Sequence, residues 1–596
     1  MNPRPTLLFA SILLLSFPVH VSASDWGISG VPIATGPGER TTANLWRSGV
    51  AAIDAAGGAF VAWKDSRTEP SRIFVQRVTA SGSPAGGWPA SGLAITPAVA
   101  VAQSSPALTH GLTGGAFVSW IEGSTDSILA RVRLTRLDSD GSPAPGWPAS
   151  GVVLGVQANP YSPTTVVSDF SDGVFVMSMT GTVGTTPLQI RLHHVLANGS
   201  IGTPSEGLIV GQSFAFPTPA MVSDNAGGVL LVWDEYRGIL EPPFSVTDYR
   251  AQHFLEDGSL APGWNPDGIL VQSTGTPLTT WRAPSIGSDG IGGAVVAFRE
   301  AKPGESNYQV YARHILSSGE FDPDWPAGGA PATSTQLGVG DFHMVPDFAG
   351  GALVVFMSFE LGSPQMRIQH WGLNGSIAPG WPADGRVLSH PGAYADHPLT
   401  NYDGQSGAFV VWTERRDGVE RLNIHHVLPN GADYPGWGPH GVEIAPGSPD
   451  EYNQDGLSLV FDWPDGVFAF WSDYRIPPLG DSFRILGQHI VGAPTADVPE
   501  PPAPEVGRLS VHPNPAFASA TVRLRLPSAA DVSIEILDVN GRRVRRLADH
   551  SSQAAGEPAW SWNLLDDQGQ RVRPGVYRVV TRRDGEVTTA PVVVMR

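Results

Sequence analysis

A unit of about 58 residues recurs eight times along this chain, and its first and last copies are cut by the chain ends. A tryptophan followed four residues later by glycine recurs at Trp88/Gly92, Trp147/Gly151, Trp264/Gly268, Trp325/Gly329, Trp381/Gly385 and Trp437/Gly441, and once more at Trp26/Gly30. A second landmark, a glycine that opens an apolar segment, recurs at Gly58, Gly115, Gly173, Gly228, Gly293, Gly351, Gly407 and Gly466. Repeats of this length cannot each bury a core alone, so they stack on their neighbours, and a copy split between the two ends predicts a ring.

Each unit reads as four short strands, here called A to D. In the second unit these are 106–110, 115–122 (GAFVSWIE), 128–137 (ILARVRLTRL) and 151–155 (GVVLG), with the period-2 alternation of strands and no sustained helical period. Between C and D lie Asn198-Gly199, Asp257-Gly258, Asn374-Gly375 and Asn430-Gly431, dipeptides that reverse a chain through positive φ. The third unit alone lacks the tryptophan, reading TPSEG at 203–207. The eighth unit has B and C strands at 467–471 and 485–491 but no D strand, and 26–33 supplies the missing piece. The expected fold is all-β: an eight-bladed β-propeller over 24–492, closed by pairing of both termini, which leaves no open ring edge.

The first 23 residues have Arg4, an apolar stretch from 6 to 19 and the small-residue sequence VSA at 21–23, the layout of a cleaved secretory signal. No other segment approaches the roughly 20 apolar residues of a membrane span. Cysteine is absent, which excludes thiolate and disulfide chemistry. The net charge is −19, yet 505–596 has 13 Arg against 10 Asp and Glu, so the remainder carries −22. An acidic body of that size argues against nucleic acid or an anionic membrane surface as partner.

The repeat resembles exported bacterial repeats with a Trp-x-Asp-x-Arg element after strand B and Gln-Arg in strand C. The matching residues are Trp63, Asp65 and Arg67, then Trp233, Glu235 and Arg237, Trp412, Glu414 and Arg416, and Trp471, Asp473 and Arg475, with Gln76-Arg77 in strand C. Residues 493–506 hold five prolines in fourteen and read as an extended spacer. Beyond it, alternating segments at 521–526, 532–537, 543–547, 559–563, 576–581 and 587–594 predict a β-sandwich over 507–596. The sequences PNP at 513–515, ILDVNGR at 536–542, Trp562, Asp566-Asp567, Gly569 and GVY at 575–577 resemble the Ig-like domain shared by flagellar hook-capping (FlgD) proteins and type IX secretion sorting domains. That resemblance implies recognition by an outer-membrane exporter, although Pro591 stands where such tails often carry a basic residue.

Histidine occupies one recurrent strand-C position at His194, His253, His314, His370, His426 and His489, with Arg77 and Arg136 completing the eight. Strand C lies third from the ring axis, too far out for these side chains to converge on a metal. A structural role is expected, each pairing with the acid two residues after the strand-B tryptophan. No His-Glu-x-x-His, Gly-x-Ser-x-Gly, phosphate-binding or complete calcium-loop motif occurs, so no cofactor, metal or linear catalytic template is assigned.

The A-to-B and C-to-D connections are tight turns, whereas the D-to-A and B-to-C connections vary in length and gather aromatics. Loops of that kind on a rigid scaffold carry function. The candidate ligand-binding residues are Trp281, Arg282, Tyr394 and Asp396 from D-to-A segments, with Tyr452 beside them, and Tyr236 and Tyr474 near B-to-C. The expectation is an exported or cell-surface protein that binds a glycan or protein partner through this face. The alternative is a carbohydrate-active enzyme, a hydrolase or lyase, with carboxylates gathered at the mouth of the ring.

Overall fold

The computed structural model describes residues 26, 30–34, 40–41, 50–54, 57–67, 69–96, 101–111, 114–123, 130–155, 159, 163–181, 187–213, 217–236, 247–274, 283–301, 307–334, 337–359, 363–448, 454–462, 466–473, 484–491, 509–512, 516, 519–524, 526, 528–537, 543–556, 558–572, 575–583 and 586–594. The signal-like segment 1–23 and the spacer 493–506 lie outside these residues. Among the described residues every regular element is a strand, and no helix is long and apolar enough to cross a membrane.

The repeats form eight antiparallel sheets in the connectivity A-B-C-D. In the second sheet the strands are Gln103–His110, Ala116–Glu122, Arg131–Leu137 and Val152–Leu154. Strand A therefore begins three residues earlier than its alternation suggests, because a bulge after Ser104 carries the chain past Pro106 and back into register at Ala107. The first sheet gains a fifth strand, Arg40–Thr41, against the end of its B strand Gly58–Asp65. In the eighth sheet, Val31–Pro32 takes the D position, with Val31 opposite Gly487 and Pro32 opposite Leu486 on Arg484–Val491.

Burial follows the pleat. B strands read as continuous apolar runs, as in Gly466–Asp473 where every residue is buried, since both faces of each sheet are covered. The apolar clusters lie between sheets rather than within them. Phe117, Val132 and Leu134 of the second sheet pack with Val166, Val174 and Val176 of the third, and the same arrangement joins each sheet to the next. One such cluster unites Phe468, Phe470 and Ile485 of the eighth sheet with Ala59, Val61 and Trp63 of the first, and contains Trp26 and Ile33.

The recurrent tryptophan is a tie between sheets as well as a cover. Trp88 Nε1 donates to the Ser139 carbonyl at 3.0 Å, Trp147 to Ala197, Trp264 to Ser317, Trp325 to Leu373 and Trp381 to Pro429, in each case in the C-to-D turn of the following sheet. Trp26 makes the same bond to Ala80 of the first sheet at 2.8 Å. The glycine four residues later has a geometric reason. Gly92 has φ +78°, and a Cβ there would stand 2.3 Å from the Trp63 ring, so only glycine lets the turn cross that indole.

In the C-terminal domain, Leu509–His512, Ala520–Leu524 and Ala559–Trp562 form one sheet, and Arg543–Gln553, Ala530–Leu537, Gly575–Arg583 and Glu586–Val594 form another. Val522, Ile534, Ile536, Trp562, Leu564, Val579 and Val592 fill one core drawn from both sheets. Among the described residues the domain has seven strands, of which Leu509–His512 has no counterpart in the sequence reading.

Candidate functional site

The two ends of the strands are built differently. At the A-to-B end an aspartate stands at the turn in every sheet but the second. Asp403 Oδ1 accepts the N–H groups of Gln405 and Gly407 at 2.7 and 2.8 Å, and Oδ2 accepts from His426 Nε2 at 3.0 Å. The unit repeats at Asp169–His194, Asp224–His253, Asp289–His314 and Asp347–His370, with Nε2 to Oδ2 distances of 2.8–3.0 Å. His489 lies 2.8 Å from Asp462 in the same position. The histidines are thus paired, as buried polar groups must be, but with the acid that ends strand A rather than with the acid two residues after the strand-B tryptophan. The expected partner faces the opposite end of the B strand, where Asp65 and Glu414 instead accept from the Trp63 and Trp412 indoles.

Where arginine replaces histidine the pairing is kept. Arg77 Nε donates to Asp54 at 2.8 Å. In the second sheet Gly111 stands where the aspartate should, and Arg136 reaches Asp172 in the A-to-B turn of the third sheet, also at 2.8 Å. Both guanidiniums lie over a strand-B phenylalanine, Phe60 or Phe117, just as His194 stacks on Phe175 and His426 on Phe409. Five of the six histidines hydrogen-bond through Nε2 to their own aspartate and His489 lies within ion-pair distance of Asp462; among the described residues no group of three or more His, Asp or Glu is placed to hold a metal ion.

The other end is irregular. Four A strands carry a bulge against their B strand, between Ser104 and Ala107, Val339 and Phe342, Asp396 and Leu399, and Asp455 and Ser458, always near the D-to-A entry. Bulges re-aim side chains and gather beside binding sites. Ser105 and His397 adopt φ +54° there, a conformation rarely taken by residues other than glycine. The bulges put aspartates at this end on three consecutive sheets: Asp341, Asp396 and Asp455.

Two predicted residues, Tyr394 and Asp396, come together on Tyr394–Tyr402 in the seventh sheet, one side-chain period apart. Tyr394 is 48% exposed, one of the few large apolar side chains so placed. Asp396 Oδ1 accepts the His397 N–H at 2.7 Å, its carbonyl accepts from Thr413 Oγ1, and His397 Nδ1 lies 3.3 Å from that hydroxyl. On the reverse side of the strand pair is a cluster that sequence reasoning missed. Glu414, fully buried, takes the Trp412 indole N–H and the His390 backbone N–H, and lies 2.7 Å from Arg416 Nε and 2.8 Å from His390 Nδ1 as ion-pair contacts. Burial lowers the His390 pKa, with the Arg416 and His440 charges adding to it against the pull of Glu414. Of the other predicted residues, Trp281, Arg282, Tyr452 and Tyr474 lie outside the described residues, and Tyr236 ends the fourth B strand opposite Thr247 with its side chain outside them. The missed bulges had a signal: Pro106 and Pro398 interrupt otherwise regular A strands, and proline inside a strand marks an edge or a bulge.

Residues 514–585 match the FlgD Ig-like domain family. FlgD from P. aeruginosa is similar over 15% of this chain and 76% of its own, at 23% identity and a TM-score of 0.12. An ulvan lyase of the polysaccharide lyase class is similar over 78% of this chain and 95% of its own, at 10% identity and a TM-score of 0.37. A protein of unknown function from Dyadobacter fermentans is similar over 55% of this chain and 94% of its own, at 11% identity and a TM-score of 0.35. No curated protein matches the chain.

Proposed function

We propose that this chain is an exported, eight-bladed β-propeller that binds a glycan through its D-to-A and B-to-C face, with a C-terminal Ig-like domain that serves its delivery to the cell surface. Ring closure is supported by the pairing of Val31–Pro32 with Arg484–Val491, by the apolar cluster shared between the eighth and first sheets, and by the Trp26 bond to Ala80. Secretion is supported by the signal-like segment 1–23, and a sorting role for the last domain by its FlgD-type fold.

The observation that carries the binding reading is the set of bulged inner strands. They offer Tyr394 as an apolar platform beside the carboxylate of Asp396, a pairing suited to a sugar's C–H face and hydroxyls. A glycan array probed with the purified chain tests it: binding is expected, with Tyr394→Ala and Asp396→Asn reducing it at least about tenfold, the loss of roughly 1.4 kcal/mol. Equal binding by both variants would place the ligand elsewhere. The enzymatic reading draws on Asp341, Asp396 and Asp455 on consecutive sheets, since paired carboxylates are the machinery of glycoside cleavage. Chromatography of any bound glycan after incubation separates the two, because shortened products appear only under the second.

A further inference from the structure

We propose that His390 and His440 form a binding site for a divalent transition-metal ion at the junction of the sixth and seventh sheets, with water completing the coordination.

The two residues stand outside every recurrent position. His390 lies in the D-to-A connection between Arg386–Val387 and Tyr394–Tyr402, five residues after the landmark glycine Gly385, where the other seven copies have Thr, Pro, Val, Gln or Ser. His440 immediately precedes the landmark glycine Gly441, a position filled elsewhere by Ser, Glu, Asp or Gly. Unrepeated histidines from neighbouring copies thus meet across one junction, with ring centres 4.5 Å apart and planes inclined by 34°. The scaffold is built in the other copies without either residue, so its packing does not account for the pair.

Each ring is already held by its Nδ1. His390 Nδ1 lies 2.8 Å from Glu414 Oε1, and the His390 backbone N–H donates to Glu414 Oε2 at 3.2 Å. His440 Nδ1 donates to the Leu388 carbonyl at 3.1 Å. A carboxylate and a carbonyl only accept, so they place the proton of each neutral ring on Nδ1 and leave Nε2 with its lone pair. Neither Nε2 has a hydrogen-bond partner among the described residues. Metal-binding histidines are supported in this way, with one ring nitrogen fixed by a carboxylate or a carbonyl and the other turned to the ion.

The spacing suits one shared ion. With metal–nitrogen bonds of about 2.0–2.1 Å, two imidazoles at adjacent coordination positions have ring centres roughly 4.5–5 Å apart. Among the described residues no third His, Asp or Glu joins them, and both rings are partly exposed, so the remaining positions fall to water. Arg416 lies 2.7 Å from Glu414 and 3.5 Å from Glu443, which answer its charge beside the site. Imidazole nitrogen selects copper, nickel and zinc over magnesium and calcium, which prefer oxygen, and copper is held most tightly. The ion ties the segment that enters the seventh sheet, four residues before Tyr394, to the turn that leads into the last strand of that sheet.

The test uses the untagged full chain, titrated with ZnCl2 by calorimetry and with CuSO4 by electron paramagnetic resonance. One equivalent of zinc is expected, undisturbed by excess MgCl2, and the copper spectrum should show two imidazole nitrogens. Loss of an orienting partner alone costs about 10–100-fold in affinity, so His390→Gln and His440→Asn should each weaken zinc binding at least about tenfold and remove one nitrogen from the copper spectrum. His550→Gln, at an exposed histidine of the C-terminal domain, should change neither. The wild-type copper spectrum stands as the test if a variant fails to fold. A chain that takes up no zinc, displacement of zinc by magnesium, a copper spectrum with fewer than two imidazole nitrogens, or binding undiminished in both variants overturns the proposal.

Discussion

The A-to-B end and the D-to-A end of the same strands obey opposite rules. At the first, one Asp–His unit recurs sheet after sheet with distances constant to 0.2 Å. At the second, no two bulges carry the same pair of residues: Ser105-Pro106, Gly340-Asp341, His397-Pro398 and Gly456-Leu457 fill them. Regularity at one end fixes how sheets pack, and that leaves the other end free to vary without loss of the scaffold. The difference teaches that repeated titratable residues signal architecture here, while the unrepeated ones mark the candidate surface.

The largest test falls on the seam between the eighth and first sheets. Trp26 is 3% exposed, and Trp26→Ala should cost about 3–5 kcal/mol, read as a large drop in the melting temperature of the repeat region. Deleting 24–34 should cost more, by exposing a strand edge as well. An unchanged melting curve in either would mean that the seam contributes nothing.

Next comes the regular end itself. A Cβ on Gly407 would stand 2.3 Å from Asp403 Oδ2 and 2.5 Å from the Val427 carbonyl, so Gly407→Ala must break the turn and should destabilise by about 2–4 kcal/mol. His426→Gln removes one bond to a buried carboxylate and should cost about 1–3 kcal/mol in denaturant titration, with metal content and ligand binding unchanged. Metal bound stoichiometrically and lost in that variant would reassign the histidines.

A smaller effect separates histidines by pH. His425 is held below its ordinary value chiefly by burial, against the pull of Asp433, so the unfolded chain binds more protons than the folded one below about pH 6.5. Stability is therefore lost as pH falls from there toward the lowered folded value. His314 runs the other way: burial would lower its pKa, yet bonds to Asp289 and Asp322 outweigh it, so its contribution is full below about pH 6.5 and fades as pH rises through the raised value. Glutamine stands at the His425 position in four other sheets, as Gln76, Gln252, Gln369 and Gln488, so His425→Gln should fold and flatten the acid limb of a melting-temperature profile. An acid limb as steep as before would acquit this residue. The smallest stability effect is expected at the irregular end, where Tyr394→Ala should stay within about 0.5 kcal/mol while weakening glycan binding.

Much of the scaffold was legible because it is periodic. Most of the Trp-x-x-x-Gly and opening-glycine positions leave no room for a Cβ, against a ring as at Gly92, Gly151 and Gly268, a carboxylate as at Gly173, Gly293 and Gly407, or a backbone carbonyl as at Gly58, Gly115 and Gly441, and such steric demands recur with the repeat. The histidine position was legible for the same reason, but its partner was not. Acids recur at two places in the repeat, before the turn in seven copies, as at Asp403, and at the end of strand B in six, as at Glu414, and only the direction of the B strand decides which one faces His426. At the candidate site Tyr394 and Asp396 stood out by type and Glu414 as part of the repeat, whereas His390 and His397 did not stand out and the cluster around Glu414 was not legible. Their proximity depends on a bulge and on a contact 24 residues apart in the chain.

The Arg136–Asp172 bond has a consequence for the order of the repeats. With Gly111 in place of an aspartate, the second repeat cannot neutralise its own arginine and borrows the acid from the repeat that follows. The borrowed residue directly precedes the glycine that opens strand B, a position filled by Gly57, Gly114, Gly227, Gly292, Gly350 and Ser406 in other copies and by an acid only at Asp172 and Asp465. The second repeat is therefore addressed to its successor. Transplanted ahead of the fourth, fifth, sixth or seventh, it would lose the carboxylate that Arg136 reaches in the next turn, so copies that look interchangeable differ in the neighbour they suit.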